Sequence, residues 1–488
     1  MKKTITLLLL LALAFTHSQT QIIKSNDNEA KRKINYAFRT SVTENGDIIN
    51  LSVGKKQSHL SFKKYYTLSL FNKDMTLIKE KDISKVFKGS IMDMEVINNN
   101  VSIIVAEPHE LRMKTVKRYY CSIDDLDFKE QVLYESNEGT RASKSSFSKN
   151  NTFMSLMIGD RKVKKPNIYF TKAKKILLFS DDFKERIEIK IEDFHKKKNV
   201  EISDIYTLEN GSNLIVVKNY KPKHKSTFSY DIIKINQDSQ DLLSIDTQNK
   251  FVKDLKFFIY ENQIYLAGHY SDYYKKNDLK GFYISKLNVA DTEQEFIKIS
   301  PFKKEYMTKM NLNTSKKSFK QINHLEILDF YVSNDSYFLL NEASYNYSLS
   351  QNQTSSNFSI DTWYYGNMAV NKFDNQGNLT NFDITYKTIP TNNFYPIQSP
   401  ISSIKKNDYI YLYLRSSVEE KEGIKVYKFN ENKPQNYEFK YDLELNKEIN
   451  ECTNIPMSTI NSFNFRNDYL ILFTNERQKR ELVKIIPN

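Results

Sequence analysis

Glu326-Ile327-Leu328-Asp329-Phe330-Tyr331-Val332 and Tyr337-Phe338-Leu339-Leu340 are two apolar runs separated by Ser333-Asn334-Asp335-Ser336. Asn and Asp tolerate left-handed backbone and hydrogen-bond to nearby amides, so the polar quartet reads as a tight turn between two antiparallel strands, A and B. After a long segment, Asn367 to Phe373 reads as strand C. Asp374 to Asn378 then makes a turn in which Gly377 is free to adopt positive φ, and Leu379 to Tyr386 reads as strand D. One unit is therefore four strands in up-and-down order.

The end of strand C is the part that returns. A bulky apolar residue followed by a polar residue, usually Asn or Asp, occurs at Phe71-Asn72, Ile123-Asp124, Phe179-Ser180, Ile235-Asn236, Leu287-Asn288, Phe373-Asp374 and Phe429-Asn430. The spacings are 52, 56, 56, 52, 86 and 56 residues, and a further 56 lands on Ile485 in the run Leu482 to Ile486. A fixed period of this length is the mark of a repeat architecture. Eight A to B turns can be picked out, among them Glu44-Asn45-Gly46, Asn98-Asn99-Asn100, Lys149-Asn150-Asn151 and Glu209-Asn210-Gly211, so eight units are expected, or seven if the terminal units merge.

Phe153 to Ile158, Ile176 to Phe179, Leu214 to Val217, Ile410 to Leu414 and Leu470 to Phe473 are apolar without alternation. A sheet with one wet face alternates, so these middle strands are expected to be covered on both faces by neighbouring sheets. Four-stranded sheets stacked face to face around an axis are the blades of a β-propeller, and the fold class expected is all-β, a single propeller of four-stranded antiparallel blades. The last unit lacks a D strand, and Gln21 to Lys24 near the start can supply it. Closure by pairing of the N- and C-terminal strands would remove an exposed edge.

The phrase Trp363-Tyr364-Tyr365-Gly366-Asn367-Met368-Ala369-Val370-Asn371-Lys372-Phe373-Asp374, with Gly377 after it, resembles the exported propeller-like proteins of unassigned function found in Bacteroidota-type bacteria. The resemblance covers most of the chain as a repeat pattern. It implies a fold and an export route and supplies no chemistry.

Met1-Lys2-Lys3 followed by Leu7 to Phe15 has the basic start and short apolar core of a secretory signal, with Thr16 and Ser18 small enough to flank a cut before Gln19. The organisation expected is a signal peptide over residues 1–18 and one propeller domain over 19–488, interrupted by long loops at about 302–322 and 342–362. That places the protein in the periplasm or outside the cell, as a monomer with no transmembrane segment. Cys121 and Cys452 are the only cysteines, so stability is expected from burial rather than from disulfides. The net charge is +13, or +11 without Lys2 and Lys3, a hint about anionic partners that an AT-rich genome's preference for lysine would also produce.

In a propeller the A to B and C to D turns share one face and the B to C and D to A connections share the other. Here the first set is tight and the second carries the long segments, which makes the long-loop face the expected site. Its candidate partner-binding residues are Lys164, Lys165, Lys223, Lys225, Tyr273, Tyr274, Lys316, Lys317, Lys320 and Trp363. Ammonium groups beside exposed rings suit an anionic glycan or an acidic protein segment, and an exported protein meets nucleic acid less often than either. Ser344 to Ser359, rich in Ser, Asn and Gln, reads as a mobile loop.

His59, His109, His195, His224, His269 and His324 all map to the same face, which keeps open an alternative in which a propeller enzyme acts on a glycan or peptide at the channel mouth. No HExxH, paired-Cys, GxSxG, phosphate-loop or EF-hand pattern occurs, so no catalytic residue, metal ligand or cofactor is assigned.

Overall fold

The structure is a computed structural model. It describes residues 21–24, 34–58, 61–108, 113–159, 173–191, 200–220, 227–260, 263–273, 278–288, 293–310, 322, 325–333, 336–351, 358–385, 389–391, 402–406, 409–418, 421–430, 441–443, 461–465, 469–476 and 479–486. The described residues are almost wholly strand, and they fall into two compact units, residues 1–85 with 393–488 and residues 86–392.

In the first unit, β1 (Gln21–Lys24) is followed by the sheet β2 (Ile34–Val42), β3 (Ile48–Ser58), β4 (Ser61–Phe71) and β5 (Leu77–Asp82), paired in that order. In the second unit, β6 (Ser90–Ile97), β7 (Asn100–Glu107), β8 (Met113–Ser122), β9 (Lys129–Phe147), β10 (Phe153–Gly159), β11 (Ala173–Ser180) and β12 (Arg186–Lys190) form one seven-stranded sheet. The expected unit boundary falls inside β9, whose first part pairs with β8 and whose last part pairs with β10. One continuous strand thus serves as the D strand of one four-stranded set and the A strand of the next.

The pattern then repeats without sharing: β13 (Val200–Thr207), β14 (Asn213–Tyr220), β15 (Thr227–Ile235) and β16 (Gln240–Ser244) form one sheet, and β17 (Phe251–Tyr260), β18 (Gln263–Ser271), β19 (Gly281–Asn288) and β20 (Gln294–Pro301) another. Helix α1 (Lys304–Met310) leads to β21 (Leu325–Ser333), β22 (Ser336–Gln351), β23 (Phe358–Asp374) and β24 (Leu379–Thr385), with β25 (Ile389–Thr391) pairing on β23. Back in the first unit, β26 (Ser402–Lys406), β27 (Tyr409–Val418), β28 (Lys421–Asn430) and β29 (Tyr441–Leu443) form a sheet. The last is β30 (Asn461–Phe465), β31 (Tyr469–Glu476) and β32 (Lys479–Ile486), with β1 as the fourth strand in register Gln21–Ile486 to Lys24–Val483. All pairings are antiparallel, and the protein is all-β with the four-stranded sheet of a propeller blade as its unit.

Three of the non-alternating apolar runs, Phe153 to Ile158, Ile176 to Phe179 and Leu214 to Val217, lie where sheets of the second unit pack on both sides. Along β10, Leu156 faces a core shared with β7 and β8, while Met157 faces one shared with β14 and β15. Along β14, Ile215 and Val217 point to that second core, and Leu214 and Val216 to a third shared with β18 and β19. Successive side chains of a strand alternate faces, so a strand between two cores must be apolar at every position. Burying each such Leu, Ile or Val contributes about 1.5–3 kcal/mol, and truncating one in the middle loses contacts on a face that no water can refill.

The returning phrase has a local cause. Asn72 Oδ1 accepts from the amides of Asp74 and Thr76 at 3.0 and 2.8 Å, and Asp374 Oδ1 accepts from Gln376 and Asn378 at 3.0 and 2.8 Å. Three residues after each of these, Met75 and Gly377 take φ of 65° and 76°, and Leu126 and Phe183 do the same in their turns. The Asx side chain satisfies amides that the strand ladder has just released, which is why Asn or Asp follows the last apolar residue. Met75, Leu126 and Phe183 are buried, so the left-handed residue also drops its side chain into the core. In the A to B turns the left-handed positions are Gly46, Asn98, Asn99, Asn151 and Gly211.

Two expectations need correction. The segment Ser344 to Ser359 is not a loop along its length: β22 and β23 continue their pairing from Ser344–Tyr365 to Gln351–Phe358. Tyr345, Tyr347 and Leu349 supply alternating β-formers that the Ser- and Asn-rich composition hides. The segment expected as a loop from 302 begins instead with α1, because Phe302, Tyr306 and Met310 recur at helical spacing and are all buried.

Candidate functional site

The B to C ends of the sheets carry what is individual to each one. Three B to C hairpins outgrow their flanking strands: β3–β4 runs on to Ser58–Ser61, β22–β23 to Gln351–Phe358, and β27–β28 to Val418–Lys421. These ribbons run on past the A strands, as β2 ends opposite Gly54 and β21 opposite Ala343, and β25 flanks only the base of the β22–β23 ribbon at Trp363 to Tyr365. A different device occupies the same end of β17–β20.

There α1 is docked by rings. Phe282 of β19 sits edge-on to Phe302 at 4.9 Å and to Tyr306 at 5.5 Å, and Phe302 stacks on Tyr306 at 5.1 Å between centroids. Asn367 Nδ2 donates to the carbonyls of Lys309 and Met310 at 3.0 and 3.3 Å, satisfying two acceptors that the end of a helix leaves open. Ile322 is buried as well, and its carbonyl accepts from the Leu279 amide at 3.0 Å.

Beneath the helix lies a polar nest in the apolar core. Asn341 Nδ2 donates to Tyr306 Oη at 3.0 Å and meets His269 Nε2 at 3.2 Å, and Asn371 donates to Asn341 Oδ1 and, at 3.0 Å, to the Leu339 carbonyl. Accepting at Nε2 puts the imidazole proton on Nδ1, which has no partner among the described residues. Burial holds the His269 pKa down at about 3 and pushes the Tyr306 phenol up, so both are neutral and neither reaches solvent. The nest fastens α1 to β18, β22 and β23.

Of the residues expected at the site, Tyr273 is described and has the most exposed large apolar side chain among the described residues, at 62%. Its carbonyl accepts from Ser271 Oγ at 2.9 Å. Trp363 lies in the β22–β23 ribbon, its backbone opposite Asn346 and Thr391. Lys164, Lys165, Lys223, Lys225, Tyr274, Lys316, Lys317 and Lys320 lie outside the described residues, as do His59, His109, His195, His224 and His324. His269 was expected in a connection near a channel mouth; it lies inside β18 with 1% exposure, because one imidazole edge is matched by Asn341 and its faces by Phe282 and Phe302.

Two lysines at this end stand beside acids. Lys250 pairs with Asp272 at 2.7 Å and lies 5.7 Å from the Tyr270 ring centroid, and Lys280 pairs with Asp278 at 2.6 Å. Sequence reasoning missed Asn341, Asn367 and Asn371. Two of them stand in the Trp363 to Asp374 phrase, where an Asn at each of two C-strand core positions was the available signal.

Among the described residues no group of three or more His, Cys, Asp or Glu is placed to hold a metal ion, and no helix is long and apolar enough to cross a membrane. Cys121 is a buried free thiol.

No family model and no curated protein matches the chain. Solved structures to which it is similar include the WD40 domain of SCAP from fission yeast, at 9% identity and a TM-score of 0.45 over 96% of this chain and 98% of that one. The β-propeller domain of the Trilobed protease from Pyrococcus furiosus matches at 8% identity and a TM-score of 0.39, over 83% and 97% of the two chains. An oligogalacturonate lyase in complex with manganese matches at 8% identity and a TM-score of 0.41, over 96% and 91%. Nothing about activity, ligand or partner follows from likenesses of this size.

Proposed function

We propose that the protein is an exported, closed propeller of eight blades whose long-loop face binds an anionic macromolecule of the envelope or the extracellular medium, a glycan or an acidic protein. What supports this reading is charge: Lys316, Lys317 and Lys320 fall in sequence between the buried residues Met310 and Ile322, in a chain of net charge +13. Ammonium groups attract an anionic partner over roughly a Debye length, about 8–10 Å at moderate salt. Tyr273 on the neighbouring B to C connection adds an exposed ring.

Capture of partners from envelope and medium fractions tests this. The tagged protein without residues 1–18 should retain an anionic partner at low salt and release it as salt rises. Lys316→Glu, Lys317→Glu and Lys320→Glu together should weaken retention and flatten its salt dependence while leaving the melting temperature in place. Equal retention by that variant removes the long-loop face from the interaction.

A further inference from the structure

The β3–β4 ribbon pairs lysine with lysine twice. Lys55 stands opposite Lys64 and Lys56 opposite Lys63, in the stretch where β2 and β5 no longer flank the hairpin: the last β2 pair reaches Gly54, and β5 reaches only Thr67. Like charges directly opposite across an antiparallel pair work against the pairing. Nothing in the hairpin's own sequence offsets them, since Gly54-Lys55-Lys56-Gln57-Ser58-His59-Leu60-Ser61-Phe62-Lys63-Lys64-Tyr65-Tyr66 contains no Asp or Glu.

Another such pair among the described residues is handled differently. Where Lys175 stands opposite Lys190 in β11–β12, Lys175 is held by Glu188 at 3.0 Å. The other two ribbons avoid the arrangement, with Ser344–Tyr365, Tyr345–Tyr364 and Asn346–Trp363 in one and Ser417–Glu422 and Val418–Lys421 in the other.

Register alternation puts one lysine pair on each face of the ribbon. The Lys55–Lys64 pair shares its face with the position of Phe62, opposite Gln57, and the Lys56–Lys63 pair shares the other with Tyr65, opposite Gly54. Each face therefore combines two cationic positions with one aromatic position a single register step of two residues away.

We infer that the β3–β4 ribbon, residues 54–58 with 61–66, is a binding element for an anionic polysaccharide, each face taking one acidic sugar through its lysine pair and aromatic position. A sugar acid carries its charge beside an apolar ring face, which is the combination the ribbon offers. Recognition of acidic peptide would favour the planar, bidentate guanidinium of Arg, and all four positions are Lys. The inference rests on the reading of the protein as a binder of anionic macromolecules and gives that reading a second element and a ligand class.

The test uses the full-length exported chain on beads bearing alginate, heparin, dextran or poly-L-glutamate at low salt. Lys55→Glu with Lys56→Glu turns both like-charge pairs into opposite-charge pairs. It should raise or preserve the melting temperature while weakening retention on alginate and heparin roughly tenfold. Lys63→Glu with Lys64→Glu, the reciprocal change, should do the same and guards against a folding defect in either one. Lys79→Glu with Lys129→Glu makes the same change in net charge at exposed positions of β5 and β9 and should cost less than about twofold.

Equal loss in that control, unchanged retention in both ribbon variants, or stronger ribbon-dependent retention on poly-L-glutamate than on alginate and heparin would overturn the inference. If wild type is held by none of the anionic beads, the broader reading falls with it. If wild type is held and only the Lys316, Lys317 and Lys320 variant is released, the broader reading stands and the ribbon assignment alone is lost.

Discussion

The two ends of each sheet obey different rules. At the turn end, Asn72, Asn236 and Asp374 each accept two backbone amides, and the chain reverses through a left-handed residue in turn after turn. At the hairpin end, one sheet projects a lysine-paired ribbon, another a longer ribbon through Trp363, and a third is covered by a docked helix. Constraints on the turn end come from the chain's own hydrogen-bonding needs and recur after Asn72, Asn236 and Asp374. The hairpin end satisfies its backbone by pairing, whatever its length, so its side chains are free to differ.

The largest effect should separate the two ends by stability alone. Phe373 closes a C strand at the turn end, fully buried and 5.3 Å from the Phe282 ring centroid. Phe373→Ala should cost about 3–5 kcal/mol in denaturant unfolding, from lost transfer energy and the cavity left behind. Shortening the β22–β23 ribbon by joining Tyr347 to Thr362 through a two-residue Asn-Gly turn should cost less than about 1 kcal/mol. Comparable losses would break the comparison.

The repeat was legible because the turn end imposes it. Bulky apolar residue, then Asn or Asp, is a local chemical requirement and survives in the sequence at near-constant spacing. The shared strand β9 was not legible, since a strand that passes from one four-stranded set to the next carries no turn residue to mark the boundary. Nor was α1, whose three buried anchors are outnumbered by the lysines around them. The polar nest left only isolated Asn codons in apolar strands, and its meaning lies in residues far apart in the chain: His269, Tyr306, Asn341 and Asn371.

That nest is the place where the hairpin end acquires a cost of its own, and pH exposes it. The folded His269 pKa is held by burial at about 3, below the unfolded value near 6.5, so the unfolded chain binds the extra proton between those limits. The contribution is intact above pH 6.5 and is lost progressively as pH falls toward 3. At pH 5 this one group should remove about 2 kcal/mol of stability relative to neutral pH. His269→Gln keeps an acceptor for Asn341 and has no proton to take up, so its unfolding free energy should fall less between pH 7.5 and 5. Parallel pH profiles would mean that the imidazole is not held neutral by the fold.

A smaller effect sharpens the account of the turns. Gly377 has φ of 76° and an added Cβ would lie 2.8 Å from Lys298 Cβ, so Gly377→Ala should cost about 1–2 kcal/mol from backbone strain and crowding. Asp374→Ala removes the acceptor for two amides and should cost about 1–2 kcal/mol, whereas Asp374→Asn, which keeps an oxygen there as Asn72 does, should cost less than half of that. If Asn and Ala are equally damaging, charge rather than amide capture holds the turn.

The smallest effect on stability is expected where function is proposed. Tyr273 is 62% exposed, and its carbonyl accepts the Ser271 hydroxyl, a bond that any residue can accept. Tyr273→Ala should therefore change unfolding free energy by less than about 0.5 kcal/mol. A ring that stands exposed beside a B to C connection, and whose loss leaves the fold intact, lowers partner retention by touching the partner. Reduced retention with an unchanged melting temperature would place the interaction at this end of β18; a fall in both would show that the ring packs in the folded state, and the distinction drawn between the two ends would fail at its most exposed residue.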